Sequence, residues 1–371
     1  MKITFDRNQM LSAFSIAASV TPTRTPKVIL QNVKVETTGE GICLMATDSE
    51  LGVRVQLPEV VVEAPGSCLL PVQRFMSILR ESVDSQMRLS SDEKATVVKG
   101  DRSQFRLSSA NADEFPSLAS VREERCHQVS GRLFHELVQR TSFATDTESS
   151  RYALAGVLLE FGENSIVAVG TDGRRLAKME GPAVSHGKHH LIETITIVPT
   201  RAIQLMSRAF SNPEAEIRIT ARGNDILVQD ARVTIFARLV EGRFPRWRDV
   251  FPDRQGAHRI DLTVGPVLNG LKQAAVVVSD ESRAVQFQFQ EGTLILSAET
   301  AEVGESRVEL PVSYSGEPLS ISLDPRYVGD FLKVLDAERT FSLELESGES
   351  AALFSTEDGY GYVVMPMARD R

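Results

Sequence analysis

A short segment recurs three times along this chain of 371 residues. The two stronger copies are Ala46–Leu51 and Gly170–Ala177, and a weaker copy is Ser297–Glu302. The copies begin 124 and then 127 residues apart, which is one domain length. Repetition at such a period predicts repeated structural modules, and function is then expected from what the modules do together.

Each copy of the segment is followed by the same order of predicted elements. A strand-like run leads to a proline, at Pro71, Pro199 and Pro325, and apolar residues of helical spacing come after it. A closing strand follows each of these helices. The chain therefore repeats a unit of strand, helix and strand.

Each third of the chain also opens with a strand and an amphipathic helix. Asp6 is a candidate N-cap of the first opening helix, Ser130 precedes the apolar positions of the second, and Pro266 lies near the start of the third. In the middle third, Ala221–Asn224 separates two strand-like runs and predicts a hairpin. The predicted fold class is α+β, with two helices packed on antiparallel sheets in each repeat. The predicted domains are 1–122, 123–253 and 254–371.

The formal net charge of −9 argues against nucleic acid binding only at first sight, because the charge is unevenly distributed. Basic and acidic residues balance in the first two thirds, whereas the last third has 10 basic and 19 acidic residues. This acidic surface either keeps DNA from the outer faces or meets a basic patch on another subunit. The alternative is a surface that only confers solubility.

Composition and segment lengths indicate a soluble protein of the cytoplasm. No apolar run approaches the roughly 18 residues of a membrane span, and no signal-peptide pattern is present. Cys43, Cys68 and Cys126 are odd in number and far apart, so neither a disulfide framework nor a zinc site is expected. We expect no membrane partner.

The sequence contains no recognisable catalytic constellation. Phosphate-binding glycine loops, metalloprotease motifs and nucleophile elbows are all missing. The cluster His186–His190 is interpreted as a surface loop, because its neighbourhood lacks further metal ligands. Asp48 and Asp172 each follow a threonine at a strand end, so we assign them a turn-forming role. Neither a metal nor a cofactor is predicted.

The second helix of each repeat carries polar residues seven positions apart, which places each pair on one helix face. Three equivalent, mostly cationic faces suit weak contacts with the phosphates of a duplex, although a single such pair is usually only a solvated face. Arg24, in a proline-flanked loop, is another cation that can reach phosphate. The pairs are Gln73 with Arg80, Arg201 with Arg208, and Arg326 with Lys333.

Three motifs resemble those of a known family. Gly170–Ala177, Leu239–Pro245 and Tyr362–Met367 are similar to the signatures of the bacterial DNA polymerase III beta subunit, the replicative sliding clamp family. The resemblance extends over essentially the whole chain, including the opening Met1–Arg7. It implies a head-to-tail homodimer closed into a ring of six domains, a processivity factor without catalytic activity. The implied partners are duplex DNA, bound without sequence preference, the polymerase catalytic subunit, the clamp loader, and other polymerases and repair proteins with short clamp-binding peptides.

The resemblance also implies a peptide-binding groove. Leucine, valine, proline and flexible methionine side chains form a surface that accepts varied short peptides. The alternative for the last strand is that it belongs to the core, and both descriptions can hold. The implied groove residues are Leu154, Thr171, Gly173, Arg174, Arg175, Leu176, Pro245, Val250, Ser350, Val363, Val364, Met365, Pro366 and Met367.

Two further sets of residues follow from the resemblance. The implied DNA contacts are Arg24, Arg80, Tyr152, Arg201 and Arg208. The implied dimer interface joins the end of the first domain to the third domain, through Arg102, Arg106, Leu107, Lys272, Val277, Val278, Glu299 and Glu302.

The chain departs from the family pattern at two places. Asp249 stands where a basic residue is common, which weakens contacts with acidic peptide ends, and Ala368–Arg371 extends the C-terminus beside the groove. Two other hypotheses remain open at this point. One is an enzyme, such as a hydrolase, on a triplicated scaffold, and the other is a peptide-binding adaptor that no longer encircles DNA.

Overall fold

A computed structural model describes residues 1–118, 124–146, 152–191, 195–251, 257–279 and 283–367. Both predicted domain boundaries, after residue 122 and after residue 253, lie outside these ranges, as does the tail Ala368–Arg371.

The first third of the chain has the predicted strand-and-helix order. Asp6 caps the first helix, since its side chain accepts a hydrogen bond from the backbone N–H of Gln9 at 2.9 Å. The elements are β1 (Lys2–Asp6), α1 (Arg7–Ala18), β2 (Asn32–Thr38), β3 (Gly41–Thr47), β4 (Leu51–Leu57), β5 (Val60–Ala64), β6 (Ser67–Pro71), α2 (Val72–Glu81), β7 (Gln86–Ser91), β8 (Ala95–Lys99) and β9 (Gln104–Ser108).

The middle third repeats this order. The Ser130 hydroxyl accepts from the N–H of Leu133 at 3.2 Å and so caps the helix. The predicted hairpin turns at Gly223, where φ is +50°. The elements are β10 (Cys126–Ser130), α3 (Gly131–Gln139), β11 (Gly156–Phe161), β12 (Ser165–Thr171), β13 (Arg175–Pro182), β14 (Val184–His186), β15 (Thr196–Pro199), α4 (Thr200–Ala209), β16 (Glu216–Arg222), β17 (Asp225–Gln229) and β18 (Val233–Arg238).

The last third follows the same plan. Pro325 is the first residue of its second helix, and the Asp324 side chain caps that helix through the N–H of Arg326 at 2.9 Å. The elements are β19 (His258–Thr263), α5 (Val264–Ala274), β20 (Val285–Gln290), β21 (Thr293–Thr300), β22 (Gly304–Pro311), β23 (Leu319–Leu323), α6 (Pro325–Lys333), β24 (Thr340–Leu345), β25 (Ala352–Ser355) and β26 (Tyr360–Val364). The α+β prediction is confirmed.

The chain folds into two compact units. Unit 1 comprises Met1–His135 and Ala183–Leu239, and unit 2 comprises Glu136–Pro182 and Val240–Arg371. In unit 1, the strands form a five-stranded sheet in the order β5-β1-β7-β8-β9 and a nine-stranded sheet in the order β14-β10-β16-β17-β18-β4-β3-β2-β6. In unit 2, they follow the order β11-β12-β13-β26-β25-β24-β19, beside a four-stranded sheet β22-β21-β20-β23.

The two units cut through the middle third because its strands pair with both neighbours. β4, the strand after the first copy of the repeated segment, pairs antiparallel with β18, the last strand of the middle third. β13, the strand after the second copy, pairs antiparallel with β26, the last strand of the chain's final third. One rule therefore joins successive repeats: the strand after the repeated turn pairs with the last strand of the next repeat.

Aromatic side chains fill the space under the helices. In unit 1, Phe14 of α1 meets Phe75 of α2 edge to face at 4.8 Å, and Phe134 of α3 meets Phe210 after α4 at 5.6 Å. In unit 2, Phe331 of α6 is fully buried against aromatic residues of β24, β25 and β26. Burial of each such ring contributes about 2–3 kcal/mol, so every repeat has a core of its own.

Candidate peptide groove and nucleic-acid interface

The turn between β12 and β13 is a compact hydrogen-bonded loop. Asp172 Oδ1 accepts from the backbone N–H groups of Arg174 at 2.9 Å and Arg175 at 3.0 Å, which confirms the turn-forming role predicted for this aspartate. Thr171 Oγ1 donates to the carbonyl of Arg175 at 2.6 Å. Gly173 occupies the left-handed region at φ +88°, and no atom lies within 4 Å of where its Cβ would be. The turn therefore presents an open surface at Gly173.

Arg175 is held inside unit 2 and is not an exposed cation. Its guanidinium donates to Asp330 Oδ2 at 2.7 Å, to Asp172 Oδ2 at 3.0 Å and to the Phe143 carbonyl at 2.8 Å, and it lies 4.4 Å from the centroid of the Tyr327 ring. Only 10% of the side chain is exposed. We therefore expect Arg175 to shape the groove from below, whereas the neighbouring Arg174 is exposed.

The pairing of β13 with β26 brings the two distant motifs together. Arg175 lies opposite Val364 and Leu176 opposite Val363, and the N–H of Met365 donates to the carbonyl of Arg174 at 3.0 Å. Residues almost 190 positions apart in the chain thus form one continuous surface. The signal in the sequence was only the resemblance, because no local pattern encodes this pairing.

The predicted groove residues divide by burial into a floor and an exposed part. Leu154, Leu176, Val363 and Val364 are all at most 5% exposed, so the core description of the last strand holds for them. Met365 and Val250 are 49% and 44% exposed, although both are large apolar side chains. Pro245 and Gly173 are exposed as well, while Thr171 is buried and Ser350, Pro366 and Met367 are half-buried.

The loop that carries Pro245 and Val250 is fixed to unit 2 by side chains that no sequence pattern singled out. Glu160 of β11 accepts from Trp247 Nε1 at 3.2 Å and from both terminal nitrogens of Arg248, at 3.0 and 2.6 Å. The same hydrogen bonds to Glu160 raise the pKa of Arg248 above its ordinary value. Arg248 also stacks on the Trp247 ring at 4.2 Å.

The same loop reaches the last strand. The Phe251 ring lies 2.7 Å from where a Cβ on Gly361 of β26 would be, so only glycine allows this approach. Ser350, on another loop, is bonded locally, with its hydroxyl 2.8 Å from that of Ser347. The loop of Val250 is therefore attached to both β11 and β26.

The predicted DNA contacts differ in how free they are. Arg24 and Arg80 are exposed. Arg201 is exposed as well, but it forms an ion pair with Asp48 and donates to the Val20 carbonyl at 3.3 Å. Arg208 donates to the Gln204 carbonyl at 3.3 Å. The side chain of Tyr152 lies outside the described part of the structure.

In the third repeat, the cationic face predicted on α6 is partly neutralised. Arg326 pairs with Asp324, and Lys333 pairs with Asp330 at 3.4 Å. Both cations remain more than half exposed, so each pair contributes little to stability.

The predicted interface residues lie at sheet edges. Arg106 and Leu107 belong to β9, which ends the five-stranded sheet of unit 1, and Arg102 precedes it. Glu299 and Glu302 lie at the hairpin that leads to β22, which ends the four-stranded sheet of unit 2. The remaining members are the exposed Lys272 of α5 and the half-buried Val277 and Val278 that follow it.

The interpretation of His186–His190 as a surface loop holds for the exposed Gly187 and Lys188 but not for His189. His189 is only 1% exposed, and its Nδ1 lies 2.7 Å from Nδ1 of the fully buried His127. His189 Nε2 accepts from the N–H of Ala221 at 3.0 Å, so a neutral His189 carries its proton on Nδ1 and donates it to His127. Burial, and then the neighbouring His127, lower the pKa of His189 from 6.5 to about 4.

Two kinds of feature are missing from the described ranges. They contain no group of three or more His, Cys, Asp or Glu side chains placed to hold a metal ion. No helix in them has the length and apolar character required to cross a bilayer.

Three family models match successive parts of the chain. The N-terminal, central and C-terminal domains of the DNA polymerase III beta subunit match residues 1–119, 128–246 and 248–368. The beta sliding clamp of Chlamydia pneumoniae is 31% identical over 369 residues and that of Pseudomonas putida is 30% identical over 376 residues. These alignments cover 99% of this chain and 99% and 100% of the two relatives.

Solved structures agree with this assignment. A DnaN sliding clamp from Pseudomonas aeruginosa bound to griselimycin superimposes with a TM-score of 0.89 at 27% identity, covering 99% of both chains. A sliding clamp from Bacillus subtilis, with a TM-score of 0.90 at 20% identity, shows the same fold. The chain therefore belongs to the DNA polymerase III beta subunit family, the beta sliding clamps, which are non-catalytic processivity factors.

Proposed function

We propose that this sliding clamp acts in the cytoplasm as a homodimeric ring around duplex DNA and holds its partners through a peptide groove at the β13–β26 junction. The observation that carries the groove is the exposure of Met365 and Val250 beside a buried apolar floor. Met365 directly follows the buried end of β26, and Phe251, next to Val250, lies against Gly361 of the same strand. Exposed apolar side chains grouped in this way are typical of interaction sites. The membership of a non-catalytic family removes the enzyme hypothesis.

The chemistry of the groove suits short peptides. Met365 offers a flexible thioether side chain that repacks around different anchors. Arg174, whose carbonyl accepts from the Met365 N–H, supplies an exposed positive charge beside it. Asp249 is exposed on the loop of Val250, so it lowers the positive charge there. We expect partners to bind mainly by apolar side chains, with a weaker contribution from acidic peptide ends.

The rule that joins successive repeats supports the homodimer. Two strands after repeated turns, β4 and β13, pair with the last strand of the following repeat. The third such strand is β22, and the last strand of the first repeat is β9; both end their sheets in the described part of the chain. If β22 of one copy pairs with β9 of another, the same junction recurs and two copies close head to tail.

Charge and exposed polar groups support the same contact. β9 and its preceding loop carry Arg102 and Arg106, whereas the hairpin of β22 carries Glu299 and Glu302, so opposite charges meet across the proposed junction. Exposed edge strands of this kind are otherwise open to uncontrolled pairing. The predicted domains 1–122, 123–253 and 254–371 remain our proposal for the boundaries of the three repeats.

The groove is tested by Met365→Glu, measured with a labelled peptide from the C-terminal tail of the replicative polymerase. A charge on this exposed apolar side chain should weaken binding by about tenfold or more, because an apolar anchor then meets a carboxylate. Val184→Glu is the matched control, since Val184 is 56% exposed on β14 in unit 1. If both variants and wild type bind the peptide with equal affinity, Met365 is not part of the groove.

A further inference from the structure

The turn after β3 repeats the turn after β12 bond for bond. Thr47 Oγ1 donates to the carbonyl of Leu51 at 2.9 Å, as Thr171 Oγ1 donates to that of Arg175. The residue two positions after each threonine is in the left-handed region, with φ of +85° at Ser49.

The aspartates of the two turns match in the same way. Asp48 Oδ1 accepts from the N–H groups of Glu50 at 3.0 Å and Leu51 at 2.7 Å. Asp172 Oδ1 accepts from the equivalent N–H groups two and three residues later. Glu50 therefore occupies the position of Arg174.

The neighbouring strands continue this correspondence. The N–H of Arg238, at the end of β18, donates to the carbonyl of Glu50 at 2.9 Å, as the N–H of Met365 donates to that of Arg174. In the paired strands, Gly52 lies opposite Phe236. The β4–β18 junction of unit 1 is thus a structural copy of the β13–β26 junction of unit 2.

Several side chains differ between the copies, and one of these differences changes the space at the junction. Where the β13–β26 junction has the buried side chain of Leu176, the β4–β18 junction has Gly52. A cleft of about 420 Å³ lies there, and the residues around it include Thr47, Leu51, Gly52, Leu118, Phe236 and Ala237.

The chain's own Leu118 occupies part of this space. A Cβ on Gly52 would lie 2.9 Å from Leu118 Cδ2, so the leucine side chain is seated directly on the glycine. The guanidinium of Arg54 donates to the Leu118 carbonyl at 2.8 Å. Leu118 also packs on a buried cluster that includes Met45 and Phe115. An aliphatic side chain with a fixed backbone carbonyl is therefore already bound at this junction.

We infer that the β4–β18 junction is a second peptide groove and that the chain's own Leu118 is its resident ligand. The inference rests on the proposed peptide groove at the β13–β26 junction, of which this site is the copy. Its ligand class is a peptide segment that presents an aliphatic side chain to Gly52 and a backbone carbonyl to Arg54. A tethered ligand acts at an effective concentration of about millimolar, so an external peptide competes poorly while Leu118 is in place.

The charged side chains around the cleft form ion pairs with one another. Glu50 pairs with Arg238 at 3.8 Å, and Arg222 pairs with Asp225 at 2.7 Å. Charges of both signs are therefore balanced around the cleft, and selectivity should come from the aliphatic side chain.

The test uses an amidated, fluorescently labelled peptide with the sequence of residues 112–118, Ala-Asp-Glu-Phe-Pro-Ser-Leu. Every protein carries Met365→Glu, so that the β13–β26 groove does not contribute. Leu118→Ala should bind the peptide about tenfold or more tightly than the parent, with one site per chain, because the tethered competitor is gone. Adding Gly52→Leu should return binding to the parent level, since a leucine side chain then fills the space as Leu176 does in the other junction.

Two controls make the result specific. A peptide with its leucine replaced by alanine should not bind Leu118→Ala. Arg54→Ala added to Leu118→Ala should weaken peptide binding, because Arg54 then no longer donates a hydrogen bond to the carbonyl of the bound leucine. If Leu118→Ala does not bind more tightly than the parent, or if Gly52→Leu or Arg54→Ala leaves the gain unchanged, the inference is wrong. The Met365→Glu experiment tests the β13–β26 groove with a different peptide and leaves the β4–β18 junction unchanged. A negative result in one experiment therefore does not imply a negative result in the other.

Discussion

Arg175 and His189 show how single buried polar side chains fix the backbone in this clamp. Arg175 carries two carboxylate partners and the face of Tyr327, which offset the cost of placing its charge inside unit 2. His189 connects the segment after β14 to β10 through His127 and to β16 through Ala221. Arg175 lies beneath the proposed peptide groove, whereas His189 ties together three segments of unit 1.

The His127–His189 pair predicts a stability change with pH. Because the pKa of His189 is lowered from 6.5 to about 4 in the fold, the unfolded chain binds more protons between these values. The stabilisation is therefore complete above pH 6.5 and is lost as the pH falls toward 4. From pH 7 to pH 5, wild type should lose about 2 kcal/mol more free energy of unfolding than His189→Gln.

Urea unfolding at the two pH values measures this difference. His135→Gln is the matched control, since it replaces a histidine by glutamine at an exposed position of α3. The same loss in His189→Gln as in wild type would show that the pair does not stay neutral.

At the scale of elements, local chemistry predicted much of what is observed. The cap at Asp6, the prolines at the starts of the second helices and the hairpin at Gly223 depend on a few neighbouring residues, and all are present. The pairing of Arg175 with Asp330 and the seating of Leu118 on Gly52 join residues far apart in the chain. No periodicity encodes such contacts, and for the same reason the sequence did not predict that His189 is buried against His127.

The sheet edges yield a prediction about assembly. Leu107→Glu places a charge on β9, the edge proposed to pair with β22 of a second copy, and should raise the dimer dissociation constant about a hundredfold. Sedimentation velocity at micromolar concentration measures the change. Val61→Glu is the control, because Val61 is 65% exposed on β5, the opposite edge of the same sheet. A wild type that remains monomeric, as the adaptor hypothesis requires, would contradict the proposed ring.

At the scale of the whole molecule, function depends on topology more than on affinity. The exposed Arg24 and Arg80 suit loose phosphate contacts, and Arg201 is already shared with Asp48. Each phosphate contact contributes a slope of about 0.9 to the dependence of log affinity on log salt, so few contacts leave binding weak and sliding free.

Encirclement predicts a specific pattern of retention. After loading by the clamp loader, the protein should remain on nicked circular DNA through gel filtration in moderate salt. It should leave when one restriction cut linearises the same DNA, because a ring slides off an open end. The uncut circle is the control, and retention on the linear product would contradict topological binding.

The seating of Leu118 on Gly52 determines how many partners one assembled clamp serves. If Leu118 fills the β4–β18 junction, as we propose, each chain of the proposed ring keeps the β13–β26 groove for its partners. Two partner proteins that use this groove must then bind different chains of one ring or bind in turn. A single leucine would thereby limit how many partner proteins one ring binds at the same time.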